Sequence, residues 1–250
     1  MKATDVKDLA EFFRQQGFTA VKAELWANFA RHVFQIYWSA ADQLLEQENW
    51  EAFKQKRGAV GKPKSVGKKV VQIPIEDAIT SELGNFANLL RLGLPTRHFL
   101  RTHEVKFECE ALVPSKTRAG RHSKKVDFRA CAQTAVGAPE IAIEAKPITA
   151  TGDIAGRYLG TEGIGCFFSA ESAYTTGPLG AMLAYTITDP LVSMRDHVHT
   201  AMGLYKPSPE KVEKVLLTDT EWVTCTSHLR DHSMQPIAIL HVERNFPLIS

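Results

Sequence analysis

The sequence predicts an α/β protein in which a helical N-terminal region precedes a sheet. Two patterns predict this class: apolar residues recur at helical spacing over residues 4–56, and apolar and polar residues alternate over 103–112 and again over 125–146. Helix-like and strand-like segments then follow one another to the end of the chain. From residue 74 to residue 190 the predicted order is helix, three strands, helix and strand.

The composition is typical of a soluble globular protein. Of the 250 residues, 44% are hydrophobic and 23% are charged, and the net charge of +2 does not by itself indicate nucleic-acid binding. No apolar run reaches the roughly 18–20 residues that span a membrane, and the acidic, amphipathic N-terminus does not resemble a signal peptide. We therefore expect a cytoplasmic protein with no membrane contact.

Residues 4–56 carry an apolar stripe that is rich in aromatic side chains. The stripe starts at Leu9, is interrupted at Gly17 and resumes over Trp26–Trp38. A stripe at helical spacing is usually buried, so we expect these rings to pack in the core or on a partner protein rather than to stack on bases.

Residues 54–69 differ in character from the helical region before them. They contain seven Lys or Arg, three Gly, one Pro and no acid. Two interpretations stay open, a solvated flexible linker and an arm that contacts phosphates. The predicted division places an N-terminal helical region at 1–58, a basic linker at 59–73 and an α/β domain at 74–250.

A helix over residues 75–92 opens the predicted α/β domain. Pro74 introduces it and Gly93 ends it. Its apolar positions face a core, whereas Glu76 and Glu82 lie near the edge of the apolar stripe. The later predicted elements are a Gly-rich helical segment (154–172), a strand (181–187), two helices (190–202 and 207–216) and a buried final strand (236–242).

The stretch from Lys125 to Lys146 predicts a β-hairpin. Its strands are Lys125–Gln133 and Glu140–Lys146, and Gly137 and Pro139 mark the break between them. Because strand alternation has period two, one face is apolar and the other is charged. The apolar face carries Val126, Phe128, Ala130, Ala132, Ile141, Ile143 and Ala145, and the charged face carries Lys125, Asp127, Arg129, Glu144 and Lys146.

Two acids on the charged face are predicted to oppose each other. A turn about Ala135–Val136 places Asp127 directly across from Glu144, because the residue numbers of paired positions in a hairpin add up to the same total. Directly opposed side chains have Cβ atoms about 4.5–5.5 Å apart, and like charges there repel. A divalent cation between the carboxylates would resolve the repulsion, with Lys146 beside it. The alternative is a surface cluster in which Lys146 pairs with both acids.

A basic loop leads into the Asp127 strand. Residues 114–125 contain no acid, and phosphodiester chemistry needs cations near the nucleic-acid backbone. Together with Arg129 on the charged face, the loop supplies the candidate nucleic-acid contacts. In the loop these are Lys116, Arg118, Arg121, Lys124 and Lys125.

The order of elements and the motif residues resemble the PD-(D/E)xK nucleases, the restriction-endonuclease-like superfamily. The motif residues are Asp127 and Glu144-Ala145-Lys146, and the resemblance covers residues 74–190. It implies a core of α-β-β-β-α-β order. For the family's glutamate on the preceding helix, Glu76 is preferred because the helix begins near it, and Glu82 stays the alternative.

The resemblance implies a role for each site residue. Asp127, Glu144 and the carbonyl of Ala145 would hold Mg²⁺, which Mn²⁺ could replace, and Glu76 would be an outer or second-metal ligand. The ion would help to deprotonate a water and would stabilise charge on the scissile phosphate. Lys146 would position that water or contact the phosphate. Products with 5′-phosphate ends are implied.

A looser resemblance, to uncharacterised prokaryotic nuclease-like proteins of restriction and phage-defence loci, suggests the biological context. It rests on Tyr158, Glu162-Gly163-Ile164, Phe167, Tyr174, Met182–Tyr185, Ser227-His228 and His241. The two resemblances together imply a Mg²⁺-dependent nuclease, acting on DNA in a defence or restriction system, with other protein subunits or as a homo-oligomer. The alternative is a nuclease-fold subunit that has lost catalysis and binds nucleic acid or a partner protein.

Other patterns that carry chemistry are weak in this chain. The spacing of His197 and His199 splits their rings across a predicted helix, which disfavours zinc, and Ser227-His228 lacks the GxSxG motif of a serine hydrolase. We expect His228 and His241 to form hydrogen bonds in the core. Wide spacing without a CxxC pair favours buried thiols over a zinc site for the cysteines, which are Cys109, Cys131, Cys166 and Cys225.

Overall fold

A computed structural model describes most of the chain. The described residues are 6–66, 69–113, 123–133, 137–169, 172–188, 191–230 and 234–249. They form N-terminal helices followed by an eight-stranded mixed sheet, which confirms the predicted α/β class. No helix within these ranges is long and apolar enough to cross a membrane.

The N-terminal region is helical after its first three described residues. Val6–Asp8 form strand β1 instead of the predicted helix, because they pair in parallel with a strand near the C-terminus. Asp8 then caps the first helix by accepting a hydrogen bond from the Ala10 amide at 2.8 Å. The helices are α1 (Leu9–Gln15), α2 (Ala20–Leu45), α3 (Gln47–Gln55), α4 (Glu76–Gly93), α5 (Phe99–Thr102) and α6 (Arg195–Leu204).

Eight strands form the main sheet. Besides β1, the sheet contains β4 (Lys106–Leu112), β5 (Lys125–Cys131), β6 (Glu140–Ile148), β7 (Leu179–Ile187), β8 (Lys211–Leu216), β9 (Trp222–His228) and β10 (Ile237–Phe246). Strands β2 (Lys64–Val66) and β3 (Lys69–Val71) form a separate two-stranded sheet. The sheet order is β1-β8-β9-β10-β7-β6-β5-β4. Strands β4, β5 and β6 are antiparallel neighbours, and β7 lies parallel to both β6 and β10.

Helices α2 and α4 cover one face of this sheet. The Tyr37 ring of α2 packs on Phe107 and Phe128, with centroids 5.3 and 4.8 Å apart. Helix α4 lies so close to β4 that a Cβ on Gly84 would meet Cys109 Sγ at 1.7 Å, so glycine permits this approach. The aromatic stripe of α2 belongs to the hydrophobic core, which confirms the prediction that its rings are buried.

The crossover from β6 to β7 and helix α6 cover the opposite face. The predicted helix over 154–172 is instead a π-helical turn (Ile154–Tyr158) followed by a 3₁₀ turn (Ile164–Phe167). Glycine explains the difference, because a Cβ on Gly163 would lie 2.2 Å from the carbonyl oxygen of Tyr158. A chain that folds back this tightly on itself does not continue as an α-helix.

The prediction of a helix over residues 207–216 is wrong. Lys211–Leu216 form β8, which pairs with β1 on one side and with β9 on the other. Pairing on both sides overrides the helix propensity of the lysine and glutamate residues in this segment. The sequence patterns also left β9 unpredicted.

Residues 59–73, predicted as a basic linker, contain backbone pairing. Strands β2 and β3 pair as a short hairpin, the Gly61 amide donates to the Ile73 carbonyl at 2.9 Å, and Gln72 bridges to Ile249. Helices on both sides of this segment contribute to one hydrophobic cluster. The division of the chain at residues 58 and 73 stays a prediction.

Candidate active site

The β5–β6 hairpin has the predicted register. Phe128 pairs with Ile143 and Arg129 with Ala142. The residue numbers of each pair add up to the same total as those of Ala135 and Val136, as predicted. The paired positions end at Phe128 and Ile143, and Asp127 and Glu144 are the next residues of the two strands, close enough for the charge of Asp127 to raise the pKa of Glu144. The predicted turn centre at Ala135–Val136 falls outside the described residues.

One side chain of the hairpin lies on the face opposite to the predicted one. Val126 belongs to the hydrophobic cluster under the β6–β7 crossover, whereas Phe128 belongs to the cluster under α2 and α4. The β4–β5 ladder skips the position of Glu110 and Asp127, where Glu110 has a φ of 48°. This irregular backbone interrupts the strand alternation beside Asp127, which is why strict period two fails for Val126.

Four charged side chains meet where β6 passes the start of α4. The Lys146 ammonium donates to Glu144 Oε1 at 2.7 Å and to Glu76 Oε1 at 3.0 Å. Asp127 Oδ2 accepts a hydrogen bond from the Ala145 amide at 2.6 Å. All four predicted motif side chains, Glu76, Asp127, Glu144 and Lys146, are therefore brought together.

Of the two glutamates considered on α4, Glu76 reaches this cluster. It is the first residue of the helix, and its carboxylate points to Lys146. Glu82 instead pairs with Lys56 at 2.6 Å.

Burial dominates the electrostatics of the cluster. Glu144 is only 4% exposed, and its Oε2 has no hydrogen-bond partner within the described chain. Burial, together with the charge of Asp127, raises the pKa of Glu144 to about 8. Burial also raises the pKa of Asp127 and of Glu76. For Lys146, burial acts to lower the pKa, but Glu144 and Glu76 outweigh it and the pKa is raised.

The donor atoms suit a hard divalent cation, although no cage of ligands is already assembled. In the described part of the chain, no group of three or more His, Cys, Asp or Glu side chains is placed to hold a metal. Lys146 lies between Glu76 and Glu144 in the position of a counter-ion. Asp127 and Glu144 nevertheless present carboxylate oxygens, the ligands that Mg²⁺ prefers, and Glu144 Oε2 is left without a partner.

The predicted nucleic-acid contacts are placed only in part. Lys116, Arg118 and Arg121 lie outside the described residues. Lys125 pairs with Glu110 at 2.5 Å, and Arg129 pairs with Glu140 at 2.5 Å, so an acid already neutralises each of these two cations. Lys124 is half-buried at the entrance to β5. Its charge acts to lower the pKa of the Cys166 thiol, although burial outweighs it and the pKa is raised.

Two cavities flank the charged cluster. One, of about 370 Å³, is lined by Glu76, Lys146, Pro147, Gly156, Arg157, Thr161 and Glu162. The other, of about 250 Å³, is lined by Asp77, Thr80, Ser81, Cys109, Glu110 and Asp127. One cavity therefore adjoins Glu76 and Lys146, and the other adjoins Asp127.

Three neighbours of the cluster were not assigned a role from the sequence. Arg157 and Glu162 line the larger cavity, and Tyr174 lies close enough to Glu144 that, together with burial, this carboxylate raises the pKa of the Tyr174 hydroxyl. Glu162 and Tyr174 belong to the residues that carry the looser resemblance, which was the available signal. Arg157 had none, since a single arginine in a Gly-rich segment is not a motif.

The buried histidines form hydrogen bonds in the core, as predicted. The chain of contacts runs from His228 Nε2 to Thr226 Oγ1 (2.8 Å), from there to His241 Nε2 (3.1 Å), and from His241 Nδ1 to the Tyr158 hydroxyl (3.2 Å). Tyr158 in turn donates to the Met182 carbonyl at 3.0 Å. This network ties the crossover to β7, β9 and β10. All four cysteines are free thiols.

The cluster combines buried carboxylates, a lysine held between acids and adjoining cavities. Such a set can bind a hard cation and place a positive charge next to a phosphate. Comparison of the chain with models of protein families, with curated proteins and with solved structures finds no match. Function is therefore inferred from the side chains and their surroundings.

Proposed function

We propose that this protein is a Mg²⁺-dependent nuclease that hydrolyses phosphodiester bonds, with DNA as the expected substrate. The observation that carries the proposal is the closeness of the half-buried Asp127 to the buried Glu144 on the neighbouring strand, with Lys146 donating to Glu144 at 2.7 Å. Two carboxylates that share a buried site repel each other unless a cation lies close. A pair that includes an oxygen without a partner therefore fits a cation-binding role better than a structural one.

The order and direction of the elements support a restriction-endonuclease-like core. Helix α4 precedes three antiparallel strands, β4, β5 and β6, and a crossover then leads to the parallel strand β7. This agrees with the order of the first helix, the three strands and the final strand of that core, whereas π-helical and 3₁₀ turns stand where the core has its second helix.

Each residue of the cluster has a role in the proposal. Mg²⁺ held by Asp127, Glu144 and the carbonyl of Ala145 would activate a water and neutralise charge on the phosphate. The carboxylates of Glu144 and Glu76 raise the pKa of Lys146 and so favour its protonated form. As a cation, Lys146 would contact the phosphate or orient the water. Glu76 holds Lys146 from the helix side.

The biological setting is a further part of the proposal. A role in anti-phage defence or restriction, with a protein partner or as a homo-oligomer, rests on the looser resemblance. Two residues of that resemblance lie next to the cluster: Glu162 lines the cavity beside Lys146, and Tyr174 lies close to Glu144. The resemblance therefore includes residues at the site as well as residues of the core.

A second candidate function is a nuclease-fold subunit that binds nucleic acid or a partner without cleaving. The observation that favours it is the position of Lys146, which satisfies Glu76 and one oxygen of Glu144 without any metal. A site that has lost catalysis could be stabilised in this way.

Cleavage assays separate the two functions. We expect the wild-type protein to cut plasmid DNA in Mg²⁺, and Asp127→Ala and Lys146→Ala to cut it at least about 100-fold more slowly, since each removes an electrostatic contact made at the reacting phosphate. Asp196→Ala is the matched control, because this aspartate is 78% exposed on α6. Equal cleavage by all four proteins would contradict the nuclease proposal, and binding without cleavage would favour the second candidate.

A further inference from the structure

The larger cavity beside Lys146 has features that the cation site does not require. Its volume is about 370 Å³, within the range of pockets that hold small ligands. One wall is the end of β6, with Lys146 and Pro147, and the other is the Gly-rich crossover. The cavity is therefore continuous with the charged cluster and extends away from it.

Arg157 is the cation on the crossover wall. It is exposed, and no ion pair forms with it anywhere in the described ranges. The next residue, Tyr158, is fully buried and donates to the Met182 carbonyl at 3.0 Å, so the backbone that carries Arg157 is fixed to the sheet. Beside it, Gly156 leaves the wall open, because a Cβ there would meet no atom within 4 Å.

Within the described ranges no acid forms an ion pair with Arg157, although Asp153 lies close enough for the charge of Arg157 to lower the pKa of Asp153. Glu76 is engaged by Lys146 at 3.0 Å. Asp153 accepts hydrogen bonds from the Thr149 amide and hydroxyl, both at 2.8 Å. Glu162 lines the same cavity, and its charge would oppose a polyanion there. The crossover wall thus presents the Arg157 cation, which would attract a phosphate, together with the Glu162 carboxylate, which would repel it.

We infer that Arg157 contacts a phosphate of the nucleic-acid strand next to the scissile phosphodiester, and that the cavity holds that nucleotide. The inference rests on the proposed function, because it takes Lys146 and the carboxylates as the place of cleavage. A guanidinium presents paired N–H donors that match phosphate oxygens, and an exposed one without a partner binds phosphate without first breaking an ion pair. Arg157 is a substrate-positioning residue in this account.

Binding measured without cleavage tests the inference. The probe is a fluorescently labelled DNA oligonucleotide in EDTA, titrated with protein at several salt concentrations. Arg157→Ala should weaken binding about tenfold and reduce the slope of log affinity against log salt by about one, the loss of one phosphate contact. Arg157→Lys should keep the wild-type slope, and Glu162→Gln should strengthen binding because a repelling charge is removed.

Arg97→Ala is the matched control. Arg97 is exposed in the turn that follows α4, a helix about 27 Å long that begins at Glu76, and its removal should leave the salt slope unchanged. If a folded Arg157→Ala protein showed the wild-type slope of log affinity against log salt, the inference would be overturned. The proposed nuclease function would not be affected by that result. A wild-type protein that neither binds the oligonucleotide in EDTA nor cuts plasmid DNA in Mg²⁺ would instead overturn the proposed function and this inference with it.

Discussion

Lys146→Met is expected to unfold at a markedly lower temperature than the wild-type protein in EDTA, and to recover most of that loss in Mg²⁺. Lys146 is only 17% exposed and is the counter-ion of Glu144 and Glu76. Its removal leaves these acids and Asp127 without a cation in a buried site. Breaking a buried ion pair in this way costs about 3 kcal/mol or more, which corresponds to a fall in Tm of about 6–12 °C for a chain of this size.

The recovery in Mg²⁺ is the part of this prediction that reports on function. A divalent ion held by the same carboxylates would replace the lost ammonium charge, and binding to the folded state alone raises stability by mass action. Thermal unfolding followed by circular dichroism, with and without Mg²⁺, measures both effects. Lys54→Met is the control: Lys54 pairs with the exposed Glu51, so its loss should cost at most about 1 kcal/mol, with no response to Mg²⁺. A Lys146→Met protein whose lost stability Mg²⁺ does not restore would count against a cation site.

Glu144→Gln is expected to stabilise the protein in EDTA while removing cleavage. Glu144 is buried, faces Asp127 and has one oxygen without a partner, so its charge costs stability in the absence of a cation. Glutamine removes that charge but keeps an oxygen that can accept the hydrogen bond of Lys146. We expect a gain of about 2 kcal/mol near pH 8, visible as a higher Tm than that of the wild-type protein.

The pH dependence of this gain has a definite sign. Burial and Asp127 raise the folded-state pKa of Glu144 from 4.5 to about 8. Between these values the folded chain keeps the proton that the unfolded chain has released, so the contribution of Glu144 to stability falls as the pH rises through this window. The Tm difference between Glu144→Gln and the wild type should therefore be small at pH 5 and largest at pH 8 and above.

The same substitution at Glu140 is the matched control. Glu140 accepts hydrogen bonds from Arg129 at 2.5 Å and from Thr175 at 3.1 Å, so its carboxylate is fully engaged. Glu140→Gln should lower the Tm, because it weakens an ion pair without relieving any repulsion. If Glu144→Gln also had a lower Tm than the wild-type protein at pH 8, the Glu144 carboxylate would be a stabilising group. That result would remove this support for a cation site.

The hairpin was the most predictable part of the fold because alternation and turn residues act locally. The break near Gly137 and the apolar residues of β5 and β6 were sufficient to predict a register that the structure reproduces. Val126 was assigned to the wrong face, because the positive φ of Glu110 on a neighbouring strand interrupts the alternation. A single sequence carries no signal for such a cross-strand irregularity.

Long-range pairing explains the larger errors. Val6–Asp8 and Lys211–Leu216 have helix-compatible sequences, yet each becomes a strand because it pairs with the other at the far edge of the sheet. Their contact joins segments that are about 200 residues apart, and local propensity does not report it. The Gly-rich crossover was predicted as a helical segment. Its π-helical and 3₁₀ turns were not predicted, because they depend on close backbone packing at Gly163.

The candidate site was predictable to the extent that a motif names residue types. Asp127, Glu144 and Lys146 meet as expected, and the start of α4 supplies Glu76, whereas Glu82 pairs with Lys56. The sequence left open whether Lys146 pairs with Asp127 and Glu144, and it did not predict that its partners are Glu144 and Glu76, because side-chain pairing is decided by burial and by the entry angle of α4. For the same reason it gave no role to Arg157, which the crossover places against the cavity.

Titration with Mn²⁺, followed by the electron paramagnetic resonance signal of the free ion, tests the central claim that Asp127 and Glu144 form a divalent cation site. The wild-type protein at pH 8 should bind one or two Mn²⁺ ions that Mg²⁺ displaces, because both metals take carboxylate oxygens. Glu144→Gln should lose this binding, whereas Glu140→Gln should keep it. Failure of the wild-type protein to bind Mn²⁺, or undiminished binding by Glu144→Gln, would contradict the claim.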